Sequence, residues 1–152
     1  MTVIERLGEL GISLPEVAKP LAAYVPATVV ANQVWTSGQL PLVSGTPIHT
    51  GKLGGAVTLE QGAESARVCL LNALAAISQV AGGVDRITRI VKVTAFVAST
   101  PDFTAQPQVA NGASELIGEI FGEAGAHVRS AVGVSVLPLD VPVELEVVAE
   151  IG

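Results

Sequence analysis

The chain has 152 residues, of which 49 % are hydrophobic and 14 % charged, and its formal net charge is −6. This length predicts a single domain, and the small share of charge favours a protein whose apolar surface is partly covered by other copies of the chain. The acidic balance and scattered Lys and Arg argue against a nucleic-acid-binding protein, and no run of about 20 apolar residues suggests a membrane span.

The N-terminal third predicts a short helix followed by two short strands. Apolar residues at near-helical spacing indicate the helix over residues 2 to about 10. Two strands are expected on either side of a turn at residues 31–33, the second running from Val34 to Gln39, and a glycine-rich loop from Ser44 to Gly55 follows. The first residues include two glutamates and no apolar signal-peptide core, so a cytoplasmic protein is expected.

The clearest helix of the sequence begins at Thr58. The letters TLEQ match a capping box, with Thr58 as N-cap and Gln61 three residues later. An apolar stripe at 3.6-residue spacing follows, made of Leu59, Ala63, Ala66, Leu70, Ala73, Leu74 and Ile77. Gly82 and Gly83 are expected to end the helix.

The next segment, from Arg86 to Ala98, is rich in β-branched residues and predicts a strand. Alternation places Ile87, Val91, Val93 and Val97 on one face. It places Thr88, Lys92 and Thr94 on the other, together with Ile90 and Phe96. A second helix is expected from about Gln108 to Phe121, with Gly122 as its C-cap.

Two final strands, from Val128 to about Leu137 and from Val143 to Ile151, are separated by the turn residues 138–140. The predicted order is therefore ββ-α-β-α-ββ. This order favours an α+β domain in which two helices pack on one face of a mixed sheet. The other face would be bare, which agrees with the oligomer inferred from composition.

Arg129 is unusual because it is a charged residue in a segment that otherwise reads as a buried strand. Its neighbours Val128, Val132, Val134 and Val136 alternate to the opposite face, where we expect the helices to cover them. Arg129 should then point away from the helices. In a simple hairpin around residues 139–140 it would face Glu150, whereas Glu144 could reach it only from another copy.

The segment RSAVGVSVLPLDVPVELE, from Arg129 to Glu146, resembles the C-terminal signature of the RidA/YjgF family, whose members were once named translation inhibitors or L-PSP endoribonucleases. WTSGQLPL at 35–42 is similar to the first motif of that family. RIVKVTAFVASTPDF at 89–103 is similar to its central strand and the loop after it. The three motifs occur in family order and span nearly all of the chain from Tyr24 onward.

This resemblance implies a chorismate-mutase-like fold, one RidA-like domain over residues 1–152, and a homotrimer with a central barrel and ligand clefts between subunits. It also implies an enamine/imine deaminase that hydrolyses 2-imino acids, such as 2-aminoacrylate, to 2-oxo acids and ammonia. Such a reaction needs no cofactor and no metal, because the imine is already electrophilic. Neither nucleic acid nor a membrane would be a partner.

The resemblance also assigns site residues. Arg129 matches the arginine that grips the substrate carboxylate, a role suited to its two parallel donors, and Glu144 matches the glutamate that orients the attacking water. Residues expected to shape the substrate cleft are Tyr24, Ser37, Gly38, Asn111 and Ala131. Asn111 resembles the asparagine that opens the second helix.

Three departures from the family pattern suggest a divergent subgroup. Ala131 stands where the family has a cysteine, the loop 103–111 is longer, and residues 1–20 form an N-terminal extension with the short helix. Two other functions therefore stay open: a non-enzymatic trimer that binds small carboxylates or a protein partner, and an endoribonuclease. The acidic charge counts against the latter.

Structural roles are also open for most of these residues. Tyr24 could be an interface residue, Ser37 could make a strand-end hydrogen bond, Asn111 could cap the helix, and Glu144 could be solvated. Outside the site, the single Cys69 excludes an internal disulfide and is expected to pack. His49 and His127 have no Cys or His at metal-ligand spacing, and each is expected to be solvated, with His127 near the cleft as the alternative.

Overall fold

The structure, a computed structural model, describes residues 1–20 and 22–152. Its strands are β1 (Ala27–Val30), β2 (Gln33–Thr36), β3 (Leu42–Val43), β4 (Thr46–Pro47), β5 (Ile87–Ala98), β6 (Val128–Val134) and β7 (Val143–Ile151). Its α-helices are α1 (Val3–Glu9), α2 (Leu59–Ala81) and α3 (Gln106–Phe121), and single 3₁₀ turns occupy Val84–Arg86, Gly122–Gly125 and Pro138–Asp140.

Five strands form one mixed sheet in the order β1-β2-β7-β5-β6. β5 pairs with β6 in parallel and with β7 antiparallel, so β5 lies between the last two strands of the chain. The short strands β3 and β4 form a separate hairpin, in which β3 precedes the segment predicted as a loop and β4 lies within it. The predicted α+β class and order of elements are confirmed.

Helices α2 and α3 cover one face of the sheet and enclose the main core. α2 is the helix predicted at Thr58: the Thr58 hydroxyl accepts from the Gln61 amide, the Gln61 side chain accepts from the Thr58 amide, and Gly82 ends it in the left-handed conformation at φ 87°. The core beneath the helices is aliphatic. Its largest fully buried members include Leu53, Leu70, Leu74, Ile77, Ile90, Leu116, Ile117 and Leu145.

The predicted N-terminal helix is present as α1, and it is anchored to the domain. Leu7 is buried in the main core, the Ile4 amide donates to Asp85 Oδ1, and Arg6 Nε donates to the Glu119 carbonyl at 2.7 Å. In the described part of the chain, no helix is both long and apolar enough to cross a bilayer.

The predicted hairpin of the last two strands is wrong. Arg129 pairs in register with Val93 on β5, not with any residue of β7. Glu150 lies opposite Arg89 and accepts a hydrogen bond from the Thr88 hydroxyl at 2.9 Å. The suggested Arg129–Glu150 pair is therefore excluded. The turn at 138–140 connects the two strands, but the chain crosses over β5 because β7 fills the gap between β2 and β5.

The predicted faces of β6 are reversed. Residues paired across neighbouring strands point to the same face of a sheet, and Val93, the neighbour of Arg129, is fully buried beneath the helices. Arg129 thus points toward α3. Val128, Val132 and Val136 were expected beneath the helices, yet they are 66 %, 45 % and 64 % exposed on or just beyond the opposite face.

β5 departs from simple alternation in its first half. Its register with β7 shifts between Ile87 and Arg89 and again between Ile90 and Lys92. A bulge inserts an extra residue and so exchanges the two faces of a strand. Ile90 is consequently fully buried, whereas Val91, which was predicted to point with Ile87 and Val93, is only half-buried.

Candidate functional site

Arg129 lies on the edge strand β6 and its guanidinium reaches the first half of α3. Nη1 donates to Asn111 Oδ1 at 2.8 Å and to Ser114 Oγ at 3.1 Å, and Nη2 donates to the Pro107 carbonyl at 3.3 Å. All three acceptors are uncharged. Among the described residues no carboxylate forms an ion pair with Arg129, so its positive charge is held in place without being neutralised.

Two further side chains extend this group, which we call the arginine cluster: Asn111, Ser114, His127 and Arg129. Ser114 Oγ lies 2.9 Å from His127 Nε2, and His127 Nδ1 lies 2.6 Å from the Gly125 carbonyl. His127 is half-buried, so the expectation of a plain solvated histidine is wrong.

Asn111 lies inside α3, because the helix begins at Gln106, earlier than predicted. It is therefore not an N-terminal cap, and its side-chain oxygen is used by Arg129 instead. Ser114 was missed by the sequence analysis. Its spacing from Asn111 could have identified it, because residues three apart lie on the same face of a helix.

Ala131 lies two residues after Arg129 on β6, so it also points to the helix side, and it packs against the main core. Its small side chain replaces the thiol expected from the family pattern. The arginine cluster thus has a methyl group where a sulfur atom would otherwise stand.

A second group forms on the other face of the sheet around Glu144 of β7. A Cβ atom at Gly38 would lie 2.0 Å from Glu144 Oε1, so only glycine admits the carboxylate at its observed position. Glu144 is half-buried. This burial raises the pKa of its carboxyl above the ordinary value, and the negative charge of Glu146 adds to the effect.

Ser37 and Tyr24 are neighbours of Gly38, Ser37 in the sequence and Tyr24 in the fold. The Ser37 hydroxyl donates to the Val25 carbonyl at 2.5 Å, and the Ser37 amide donates to the Pro26 carbonyl at 2.8 Å. Ser37 therefore makes the strand-end hydrogen bond that was considered as its structural role. Tyr24 is exposed and lines a shallow depression together with Gly38. We call Tyr24, Ser37, Gly38 and Glu144 the glutamate cluster.

The two clusters do not meet within one chain. Arg129 pairs with Val93, and Glu144 pairs with Phe96, three positions further along β5. No register shift lies between these two positions. An odd spacing along a regular strand places side chains on opposite faces. The arginine cluster therefore faces the helices and the glutamate cluster faces away from them.

Cys69 is buried in the main core, with its Sγ 3.6 Å from the Val143 carbonyl, and the packing role predicted for it is confirmed. Burial raises the pKa of the Cys69 thiol well above its ordinary value, which disfavours the reactive thiolate. Within residues 1–20 and 22–152, no group of three or more His, Cys, Asp or Glu could hold a metal ion. His49 instead pairs with Glu64 at 3.0 Å.

Comparison with known proteins agrees with this architecture. Residues 4–151 match the family described as "YjgF/chorismate_mutase-like, putative endoribonuclease". The chain is 42 % identical to protein TCP17 of Trypanosoma cruzi over 151 residues, which are 99 % of this chain and 94 % of the relative.

Two solved structures illustrate the range of the similarity. A "putative endoribonuclease" from Shewanella oneidensis MR-1 is 36 % identical and superposes with a TM-score of 0.95, over 99 % of this chain and 100 % of that one. E. coli TdcF, crystallised with bound serine, is 28 % identical with a TM-score of 0.61, over 91 % and 93 % of the two chains. With nearly its whole length matched, the chain belongs to the YjgF/chorismate-mutase-like family, the RidA/YjgF family indicated by its motifs.

Proposed function

We propose that this protein hydrolyses small 2-imino acids, or their enamine tautomers, to 2-oxo acids and ammonia in a cleft between subunits. The observation that carries this proposal is the hydrogen bonding of Arg129. Its guanidinium is fixed by three neutral acceptors and has no carboxylate partner among the described residues. A held, uncompensated cation at a sheet edge is suited to an anionic ligand.

The hydrogen bonds of Arg129 leave donors for such a ligand. A guanidinium carries five N–H groups, and the three observed bonds use two of those on Nη1 and one on Nη2. The Nε proton and one Nη2 proton therefore remain without an acceptor in the described part of the chain. A carboxylate can accept both, in charge-assisted bonds. The serine bound to the related protein TdcF also carries an α-carboxylate.

Glu144 supplies the second chemical group. Water attacks C2 of the iminium, the new C–O bond forms as the C=N π electrons move to nitrogen, and Glu144 accepts a proton from that water. Glu144 then returns this proton to the carbinolamine nitrogen, the C–N bond breaks as the hydroxyl oxygen forms the C=O bond, and the hydroxyl proton passes to the departing ammonia. A raised pKa makes its carboxylate a stronger base near neutral pH, which suits this exchange.

Because the two clusters lie on opposite faces of the sheet, the proposed site needs two copies of the chain. One copy contributes Arg129 from its edge strand, and a neighbouring copy contributes Glu144 with Gly38, Ser37 and Tyr24. The exposed side chains of Trp35, Val128 and Val132 offer an apolar surface on the face away from the helices for this association. We propose that the copies form a homotrimer, which is the assembly that the resemblance to the family implies.

The activity can be tested by generating 2-aminoacrylate in situ from serine with a dehydratase and following release of pyruvate above the spontaneous rate. We expect the parent protein to accelerate release. Arg129→Ala should abolish the acceleration and weaken pyruvate binding at least tenfold, since a charge-assisted bond contributes about 1.5–3 kcal/mol. Arg129→Lys should recover little, because lysine has no planar fork.

Arg89→Ala is the matched control, since it removes an exposed arginine from the neighbouring strand β5. It should leave both measurements unchanged. Pyruvate binding by the parent without any acceleration would contradict the enzymatic proposal and favour a non-enzymatic carboxylate-binding trimer. Arg129→Ala that binds and turns over like the parent would contradict the role of Arg129.

A further inference from the structure

The arginine cluster contains one continuous hydrogen-bond chain whose direction is fixed by chemistry. A guanidinium can only donate, so Ser114 Oγ accepts from Arg129 Nη1. The single Ser114 hydroxyl proton is then available for its other neighbour, His127 Nε2, at 2.9 Å. Because Ser114 Oγ has two lone pairs, the direction of this contact depends on which ring nitrogen of His127 carries the proton.

The second contact of the imidazole sets the tautomer of His127. A neutral imidazole with an accepting Nε2 carries its proton on Nδ1. His127 Nδ1 lies 2.6 Å from the Gly125 carbonyl, which can only accept, so Nδ1 carries the proton and Nε2 of the neutral ring accepts from the Ser114 hydroxyl. The chain thus runs in one sense, from Arg129 through Ser114 and His127 to the backbone of the 3₁₀ turn Gly122–Gly125. A protonated His127 would present a second donor to Ser114.

We infer that Ser114 and His127 are positioning residues that hold the Arg129 guanidinium so that its Nε proton and one Nη2 proton face a ligand carboxylate. This inference rests on the proposed function and deepens it. Arginine has a long side chain with many rotamers, and a geometry that is fixed before binding avoids the cost of ordering it. Asn111 alone would leave one Nη1 proton without an acceptor.

Two features distinguish His127 and Ser114 from ordinary packing residues. Both are only half-buried, so substitution leaves no large cavity. The role of His127 depends on one acceptor atom, Nε2, which the side-chain oxygen of glutamine can imitate but phenylalanine cannot.

The experiment measures pyruvate binding by calorimetry for Ser114→Ala, His127→Phe and His127→Gln, with His49→Gln and Ser130→Ala as controls. Ser130 is exposed next to Arg129, and His49 is the other histidine. Loss of one hydrogen bond in the chain should weaken pyruvate binding about three- to tenfold in Ser114→Ala and His127→Phe. His127→Gln should restore most of the affinity, and both controls should bind like the parent.

A second readout does not depend on ligand. Long-range ¹H–¹⁵N spectra at about pH 8, where imidazoles are mostly neutral, report which ring nitrogen carries the proton. With two histidines in the sequence, the spectrum of His127→Gln assigns the signals. We expect His127 to be protonated on Nδ1 in the parent. In Ser114→Ala the Gly125 carbonyl still accepts this proton, so the tautomer should stay the same while the Nε2 signal shifts through loss of its hydrogen bond.

The outcomes separate this inference from the proposed function. A parent that binds pyruvate, with Ser114→Ala and His127→Phe binding as tightly, contradicts the positioning role alone. An Nε2-protonated His127 also contradicts it. A parent that binds no pyruvate contradicts the carboxylate site itself, and with it this inference. Melting temperatures of all variants identify any that fail to fold. If His127→Phe is one of these, the pyruvate affinity of His127→Gln tests the positioning role.

Discussion

The contact between Gly38 and Glu144 shows how a single missing methyl group sets the position of a functional side chain. All three nearest atoms to a Cβ built at Gly38 belong to the Glu144 side chain. Glu144 is flexible at this end, so an added methyl group would displace the carboxylate rather than the backbone. A methyl group added at Gly38 should therefore change the rate of imine hydrolysis more than the free energy of unfolding.

For Gly38→Ala we expect a fall in the rate of imine hydrolysis with nearly unchanged pyruvate binding, because Arg129 is not disturbed. The free energy of unfolding should change by less than about 1 kcal/mol, below the usual cost of a rigid clash. Steady-state assays and calorimetry on the same preparation measure the two effects. A variant with the parent rate would show that the Glu144 position is not important for turnover.

Glu144 should also make stability depend on pH. Its pKa is raised in the folded chain by burial and by Glu146, so the folded state binds its proton more tightly than the unfolded state does. The resulting stabilisation is present below the unfolded pKa and is lost as pH rises through the folded value. At neutral pH the charged carboxylate is therefore unfavourable for folding.

We expect Glu144→Gln to raise the melting temperature relative to the parent at pH 7. This advantage should shrink as pH falls through the raised pKa of Glu144 and be absent below the ordinary glutamate pKa of 4.5. Thermal unfolding followed across this range measures it. Glu115→Gln, on the exposed surface of α3, is the control and should show no such trend. An advantage for Glu144→Gln that is constant with pH would contradict the electrostatic explanation.

Among the elements, the contact between α2 and α3 depends on a glycine. A Cβ at Gly112 would lie 2.0 Å from the Ala63 carbonyl oxygen and 2.7 Å from its carbonyl carbon. These are backbone atoms of α2, so the two helices would have to move apart. Gly118, on the same helix, has no atom within 4 Å of a Cβ placed there.

Gly112→Ala should destabilise the fold by about 1–3 kcal/mol through overpacking. Gly118→Ala should be neutral or stabilising by up to about 1 kcal/mol, since alanine favours the helical conformation more than glycine. Urea unfolding of both variants measures the difference. Equal stabilities would mean that the helices separate at little cost.

Local signals predicted most of the elements correctly. The capping box at Thr58 and Gly82 defined α2, because caps depend on residues adjacent in sequence. The start of α3 was placed too late, since Ala105 provides no side-chain cap to mark it. The prediction of Ile90 failed because the bulges in β5 leave no clear sequence signature.

Strand pairing could not be predicted from local sequence signals. The turn at 138–140 made a β6–β7 hairpin reasonable, but adjacency in sequence does not determine adjacency in a sheet. The sequence correctly predicted that Arg129 and the valines of β6 point to opposite faces of the sheet. It did not predict which of the two faces the helices cover. Exposed valines of a strand cannot be told from core valines in sequence, and for this reason Arg129 was predicted to point away from the helices.

At the scale of the whole molecule, the exposed valines of β6 belong to the face on which we propose that copies associate. Val132→Glu should therefore shift the protein from trimer toward monomer, because the association would bury an unpaired charge. Light scattering with in-line chromatography at micromolar concentration measures the mass. Val80→Glu changes a 39 % exposed valine on α2 and should leave the mass unchanged.

A parent that is already monomeric would contradict the trimer and the shared site together. A trimeric Val132→Glu would show that copies associate through another surface. Loss of imine hydrolysis in a monomeric variant that still binds pyruvate would indicate that the second copy supplies the water-activating group.

The position of β7 also governs when the protein can fold during synthesis. β7 follows every other strand in the chain, yet it lies in the middle of the sheet, between β2 and β5. Until residues 143–151 leave the ribosome, β1 and β2 have no edge to join, and Leu145 and Val147 are missing from the core. Contacts so distant in sequence slow folding, so the nascent chain must emerge with an incomplete sheet, which is completed only when β7 inserts between β2 and β5.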